Sequence, residues 1–264
     1  MSQTNVNNLF NNALASGEIG GASIDALGKI QDLGNIINDA LGTPTLDIAS
    51  GEIILVNLLI DDSSSMEDVS DAVIKAHNEC IEAIKASKQV NNIMVQCRLM
   101  TAGLLYPFKL IDDVQPLTRK EYRADHNTPL YRSALETLGI TQAKSQECLD
   151  NFQEPRTITL FITDGYDNAS RGIGAADVKK LADDMLNTER HIIAGMGFDS
   201  SGNQADDFRR IFKDMGIRDN WILTVATTAS EIRKAFGVFS RSVTSASQSA
   251  GSFSQIAMGG FGNP

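Results

Sequence analysis

Short apolar runs alternating with helix-patterned stretches constrain this chain more than any other feature. Residues 53–60 (IILVNLLI), 157–163 (TITLFIT), 191–198 (HIIAGMGF) and 221–226 (WILTVA) are nearly continuous in hydrophobicity, which suits strands covered on both faces. Residues 92–101 (NIMVQCRLMT) read as another strand. Residues 104–114 (LLYPFKLIDDV) read as an edge strand, because Pro107 lacks the N–H that an interior ladder needs. Between the runs lie helical stripes: Val69, Val73, Cys80 and Ile84; then residues 129–152; then Val178, Leu181, Ala182 and Met185. Phe208, Ile211, Phe212 and Met215 mark another helix, and Ile232, Phe236, Phe239 and Val243 stripe a terminal one. This alternation predicts an α/β fold: a doubly wound, mostly parallel central sheet flanked by helices, with one antiparallel edge strand.

The two ends differ from this middle. Residues 1–50 are rich in Asn, Gly and Ala, and Ile24, Leu27, Ile30, Leu33, Ile37 and Leu41 recur at helical spacing. Gly28 and Gly34 weaken that helix by about 1 kcal/mol each, so it needs a surface to pack on. The expected organisation is an amino-terminal extension over 1–50 with a short amphipathic helix, a domain over 51–246, and a flexible Ser/Gly-rich tail over 247–264.

Charge and cysteines narrow the function. Lys plus Arg total 23 against 33 for Asp plus Glu, a formal charge of −10, which argues against nucleic acid or an anionic membrane as partner. Cys80, Cys97 and Cys148 are widely spaced and form no CxxC pair, so they read as reduced core residues. The first residues lack the pattern of a secretory signal and no stretch is long enough to span a bilayer, so the expected location is the cytoplasm.

In open α/β sheets, sites form beyond the carboxyl ends of strands. Three loops carry polar clusters: Asp61-Asp62-Ser63-Ser64-Ser65-Met66 after the first strand, Asn127-Thr128-Pro129-Leu130 at a helix start, and Thr163-Asp164-Gly165 after TITLFIT. Each alone has an ordinary explanation. Ser65 with Asp68 resembles a capping box, Thr128 before Pro129 an N-cap, and Asp164-Gly165 a turn.

Their combination resembles the metal-ion-dependent adhesion site of von Willebrand factor A domains: a hydrophobic strand, DxSxSM, a Thr some sixty residues on, then a hydrophobic strand and TDG. The resemblance covers roughly residues 52–245 and, within the family, is nearest to the stand-alone intracellular A domains of bacteria and their viruses. It implies a Rossmann-like fold and a metal set of Asp61, Ser63, Ser65, Thr128 and Asp164. Ser63 and Ser65 would bind directly, Thr128 in one conformation, and Asp61 and Asp164 directly or through water. An all-oxygen set suits a hard cation, Mg²⁺ with Mn²⁺ or Ca²⁺ as alternatives. Neutral hydroxyls leave the ion attractive to an Asp or Glu from a partner protein.

Some features depart from the pattern. Ser64 stands where Gly is frequent in the family, and His126-Asn127 where Gly-Gly is frequent; Asn tolerates a left-handed backbone. Asp62 adds a third carboxylate, read as an exposed loop charge that either is inert or tunes partner and metal choice. His126 lies near the metal loop, within reach of a partner. Asp164 to Asn168 resembles part of a calcium loop, but its twelfth position is Ala175 rather than Glu. The Gly172-Ile173-Gly174 and Gly195-Met196-Gly197 clusters lack a nucleotide-binding fingerprint.

Three functions are weighed. The first is a non-enzymatic, cation-dependent protein-binding module, working in a multiprotein assembly such as those built around AAA+ ATPases. The second is a structural subunit self-associating through residues 24–41, in which the metal only stabilises the fold. The third is a Mg²⁺-dependent phosphatase of the haloacid-dehalogenase type, which requires a second Asp where this chain has Ser63.

Overall fold

β1 (Glu52–Ile60) is buried along nearly its whole length and is hydrogen-bonded on both sides by parallel strands. A run flanked and covered in this way has no polar face, which is why its sequence does not alternate. The computed structural model describes residues 6–86, 90–248 and 260–261. Its sheet has six strands in the order β3-β2-β1-β4-β5-β6, with β2 (Ile93–Leu99), β3 (Gly103–Leu110), β4 (Glu154–Thr163), β5 (His191–Asp199) and β6 (Ile222–Ala226). All neighbours are parallel except β3, which runs antiparallel to β2 and carries Pro107 at the edge. The fold class is therefore the expected one. The chain steps outward from β1 in one direction and from β4 in the other, so the switch point lies between β1 and β4.

α4 (Ser70–Lys85) packs on α8 (Ala229–Gln248), while α5 (Leu130–Asp150) packs on α6 (Ala175–Asn187). Right-handed crossovers in opposite directions put these pairs on opposite faces. α7 (Ala205–Asp214) lies against β5 and β6. Gly195 and Gly197 explain its close approach: a Cβ would sit 2.6 Å from the Phe212 ring and 2.3 Å from the Phe208 ring.

The amino-terminal segment departs from the single expected helix. It forms α1 (Val6–Ala15), α2 (Gly21–Leu27) and α3 (Leu33–Leu41), with the apolar stripe broken around Gly28 and Asp32, whose φ is +58°. These helices cover α5 and α6 from outside and bury Leu27, Ile30, Ile37 and Leu41 against them. Polar clamps hold them there. Gly20 N–H and Ser23 Oγ donate to Asp184 at 2.7 and 2.5 Å, Lys29 reaches Asp177 at 2.8 Å, and Lys144 Nζ donates to the Thr43 carbonyl at 2.6 Å. α5 is thus covered by the sheet on one side and by helices on the other, and even Thr137, Thr141, Gln142 and Lys144 are buried.

Two further differences concern boundaries. The helix expected over 66–88 begins as a 3₁₀ turn, Ser64–Val69, before α4; residues 87–89 lie outside the described residues. Most of the expected tail also lies outside them, although Phe261 packs edge-on to Trp221 at 5.3 Å. A polar line crosses the core. Asn57 is in register with Gln96 and Thr159, and none of their side-chain polar atoms has a hydrogen-bond partner among the described residues.

Candidate metal centre

The three polar loops converge at the switch point, beyond the carboxyl ends of β1 and β4. β1 ends at Ile60 beside Ile162 of β4, and the ladder continues one step further as Asp61 N–H donates to the Ile162 carbonyl at 2.9 Å. Asp61 is fully buried and both of its carboxylate oxygens are engaged. Oδ1 accepts the Ser63 N–H at 2.8 Å and Oδ2 accepts the Thr163 hydroxyl at 2.6 Å, while Tyr122 donates to its backbone carbonyl at 2.7 Å. Burial pushes its carboxyl up to about 6; the bonds from Thr163 and Ser63 oppose that rise, and the nearby Asp164 charge adds to it.

The serines stand in front of this anchor. Ser63 Oγ and Ser65 Oγ are 3.1 Å apart, and Ser65 Oγ donates to Asp164 Oδ1 at 2.8 Å. This is not the capping box expected of Ser65 and Asp68. The serine is turned to a partner ninety-nine residues away, which no local pattern encodes. Asp164 is half-buried, and burial again raises its carboxyl above the usual range, against hydrogen bonds from Ser65 and Ser63.

The Thr128 loop is tied to both others. Ser63 and His126 form a parallel bridge, with Ser64 N–H donating to the His126 carbonyl at 3.0 Å. Thr128 N–H donates to Asn168 Oδ1 at 2.9 Å, and Asn168 N–H returns to the Thr128 carbonyl at 3.0 Å. Thr128 is buried, and its Oγ1 lies 3.9 Å from where a Cβ on Gly165 would stand. The helix behind it starts at Leu130 with Pro129 at the cap, and Thr128 makes no capping bond.

Asp62 corrects the sequence reading. It is fully buried rather than exposed, and its carboxylate accepts the Thr101 and Ala102 N–H groups at 2.8 and 2.9 Å. It therefore pins the β2–β3 turn to the first loop. Its partners are backbone amides, invisible to residue-type reasoning. His126 lies 3.0 Å from Asp125 and 3.9 Å from Asp62, with its side chain 37% exposed. Asn168, Tyr122 and Thr101 are positioning residues that sequence reasoning missed. Thr163, adjacent to Asp164, and Asn168, at the end of the rejected calcium-loop stretch, lay inside quoted motifs but in neither case for the role seen here.

The donor set fits a hard cation. Among the described residues no group of three or more His, Cys, Asp or Glu side chains is arranged to hold a metal, and the atoms gathered here are two carboxylates and hydroxyl oxygens. Oxygens held about 2.1 Å from a central Mg²⁺ in octahedral array sit about 3 Å from their neighbours. The 3.1 Å and 2.8 Å separations around Ser65 match that edge.

No protein-family model and no curated protein matches this sequence. Solved structures match it at the level of fold. The PilB minor pilin from Streptococcus sanguinis is similar with a TM-score of 0.52 and 12% identity, over 75% of this chain and 62% of that one. The pilus adhesin SpaC from Lactobacillus rhamnosus GG is similar with a TM-score of 0.52 and 11% identity, over 73% and 31%. The vWF domain of the type V pili tip protein Mfa5 from Porphyromonas gingivalis gives 0.51 and 10%, over 76% of this chain and 98% of that one. The chain thus spans less than two thirds of the pilin and of the adhesin. The architecture is a von Willebrand factor A-type fold.

Proposed function

We propose that this chain is a non-enzymatic, divalent-cation-dependent protein-binding module, in which Asp61, Ser63, Ser65, Thr128 and Asp164 hold one hard ion, Mg²⁺ first, that takes an Asp or Glu of a partner protein. The observation that carries this reading is Ser65 Oγ, which lies within hydrogen-bond reach of both Ser63 Oγ and Asp164 Oδ1. A divalent cation bound there supplies a Lewis-acid position for an incoming carboxylate. Asp61, with both oxygens already engaged, orients the Ser63 backbone and anchors the first loop to β4. Ser63, Ser65 and Thr128 contribute oxygens without charge, so two carboxylates leave the centre attractive to a third. The buried free thiols Cys80, Cys97 and Cys148 favour a reducing compartment, in line with an intracellular module of a multiprotein assembly. No helix among the described residues is long and apolar enough to cross a membrane.

Calorimetric titration of Mn²⁺ and Mg²⁺ into the wild type, Asp61→Ala and Ser65→Ala tests the reading. Ser65 is exposed, so its variant keeps the fold even where Asp61→Ala does not. Loss of binding in Ser65→Ala is expected, along with loss of chelator-sensitive capture of partners from the source cell. Undiminished Mn²⁺ uptake by Ser65→Ala would refute the site.

A further inference from the structure

A second, oppositely charged feature sits against this centre. A pocket of about 450 Å³ is lined by Asn127 and Pro129, the residues on either side of Thr128, and by Arg98, Arg132, Arg171 and Glu136. Three guanidinium groups against one carboxylate leave a formal charge of +2 there, within a chain of formal charge −10. The arginines come from the end of β2, the first turn of α5 and the loop between β4 and α6. These elements adjoin the loops that build the metal centre.

The positive charge is not fully used internally. Glu136 is shared: its Oε2 accepts Arg98 at 2.5 Å and its Oε1 accepts Arg132 at 2.8 Å. Arg98 is only 5% exposed, and its Nε has no hydrogen-bond partner among the described residues. A buried guanidinium N–H without an acceptor is costly, so the charge of Arg98 is only partly compensated by Glu136. Arg171 has no ion pair among the described residues. Its backbone is held at φ +27°, a conformation that L side chains rarely adopt, next to Gly172 at φ +80°. The loop therefore keeps an exposed, unneutralised arginine at the pocket rim at some conformational cost.

We infer that this arginine pocket takes a second acidic side chain of the partner segment whose other carboxylate reaches the metal centre, so that the recognised motif carries two acidic residues close together. Guanidinium forks match a carboxylate with two parallel bonds, which a single metal contact does not provide. An extended segment advances about 3.4 Å per residue, and the pocket wall begins at the residues flanking Thr128, so a short acidic stretch spans both. The inference rests on the proposed metal-dependent reading for its first contact only.

The test is an NMR titration with short glycine peptides carrying one Glu, or two Glu separated by one, two or three Gly, in Mg²⁺ and in chelator. The probes are applied to the wild type and to Arg171→Gln, whose side chain is exposed and unpaired. At least one two-Glu spacing should bind about tenfold more tightly than the one-Glu peptide, and Arg171→Gln should reduce it to the one-Glu level. A gain that persists in chelator and vanishes in Arg171→Gln supports the pocket while overturning the metal reading. Equal binding of all peptides, or no effect of Arg171→Gln, overturns the pocket and leaves the metal dependence of the one-Glu peptide as a separate result. Inorganic phosphate that shifts the Arg171 signals when no peptide does so also overturns the acidic-segment occupant, in favour of a free phosphoanion.

Discussion

Ser65 Oγ donates to Asp164 Oδ1 across 2.8 Å, closing a loop of ninety-nine residues at the switch point of the sheet. The same carboxylate raises the protonation preference of buried Asp61 through charge repulsion, after burial itself. The two acids are therefore held together against a cost that a cation would relieve.

Asp164→Asn should separate those effects. Without metal, removing one of two neighbouring negative charges stabilises the protein by about 0.5–1 kcal/mol. With saturating Mg²⁺ the order reverses, because the wild type gains binding energy that the variant lacks, about 2.7 kcal/mol at a hundred times the dissociation constant. Thermal unfolding of both proteins in chelator and in Mg²⁺ measures this. A variant less stable in both conditions would sink the explanation.

Gly197→Ala should destabilise the fold by about 1–3 kcal/mol, since its Cβ must enter the space of the Phe208 ring. Urea denaturation reads the change directly. Gly51→Ala, where nothing lies within 4 Å of the new carbon, is the matched control.

Thr159→Val should stabilise the protein by about 1 kcal/mol, because its buried hydroxyl has no hydrogen-bond partner among the described residues and valine has nearly the same shape. A loss of stability on this change would mean that the hydroxyl is satisfied inside the core.

His191 gives a pH dependence. Burial first, and the Arg190 charge second, lower its folded pKa from 6.5 to about 3. The folded form therefore binds fewer protons than the unfolded form between those values, and stability is lost as pH falls below 6.5. The slope is about 1.4 kcal/mol per pH unit, which amounts to about 2 kcal/mol by pH 5. Asp61 and Asp164, whose carboxyls are raised, oppose this trend, so the measurement is the difference between the wild type and His191→Gln across pH 7.5 to 5. Parallel curves for the two proteins would contradict it.

The sheet was legible because β1, β2, β4 and β5 are largely buried and their sequences carry that as predominantly apolar runs, broken only at positions such as Asn57, Gln96, Arg98 and Thr159; Pro107 marked the edge in the same direct way. The convergence of the three polar loops was legible because each follows a strand or precedes a helix that the pattern located; grouping Asp61, Ser63, Ser65, Thr128 and Asp164 as one metal set came from the resemblance alone. What escaped has tertiary causes. Asp62 looks exposed by residue type, yet its partners are the amides of Thr101 and Ala102. The 24–41 stripe has helical spacing throughout, yet Asp32 in a left-handed conformation bends the chain so that two short helices can follow α5 and α6. α5 itself reads as mixed polar and apolar because polar side chains such as Lys144 meet the amino-terminal segment rather than water.

That clasp on α5 sets a limit for anyone trimming the protein. Cutting at Gly51 would remove a wall, taking Leu27 and Leu33 from beside Gly139 and depriving the Lys144 ammonium of the Thr43 carbonyl. The rod thus laid bare is the one whose tip begins two residues after Thr128. Damage at a distant terminus would be read out where a cation is expected to sit.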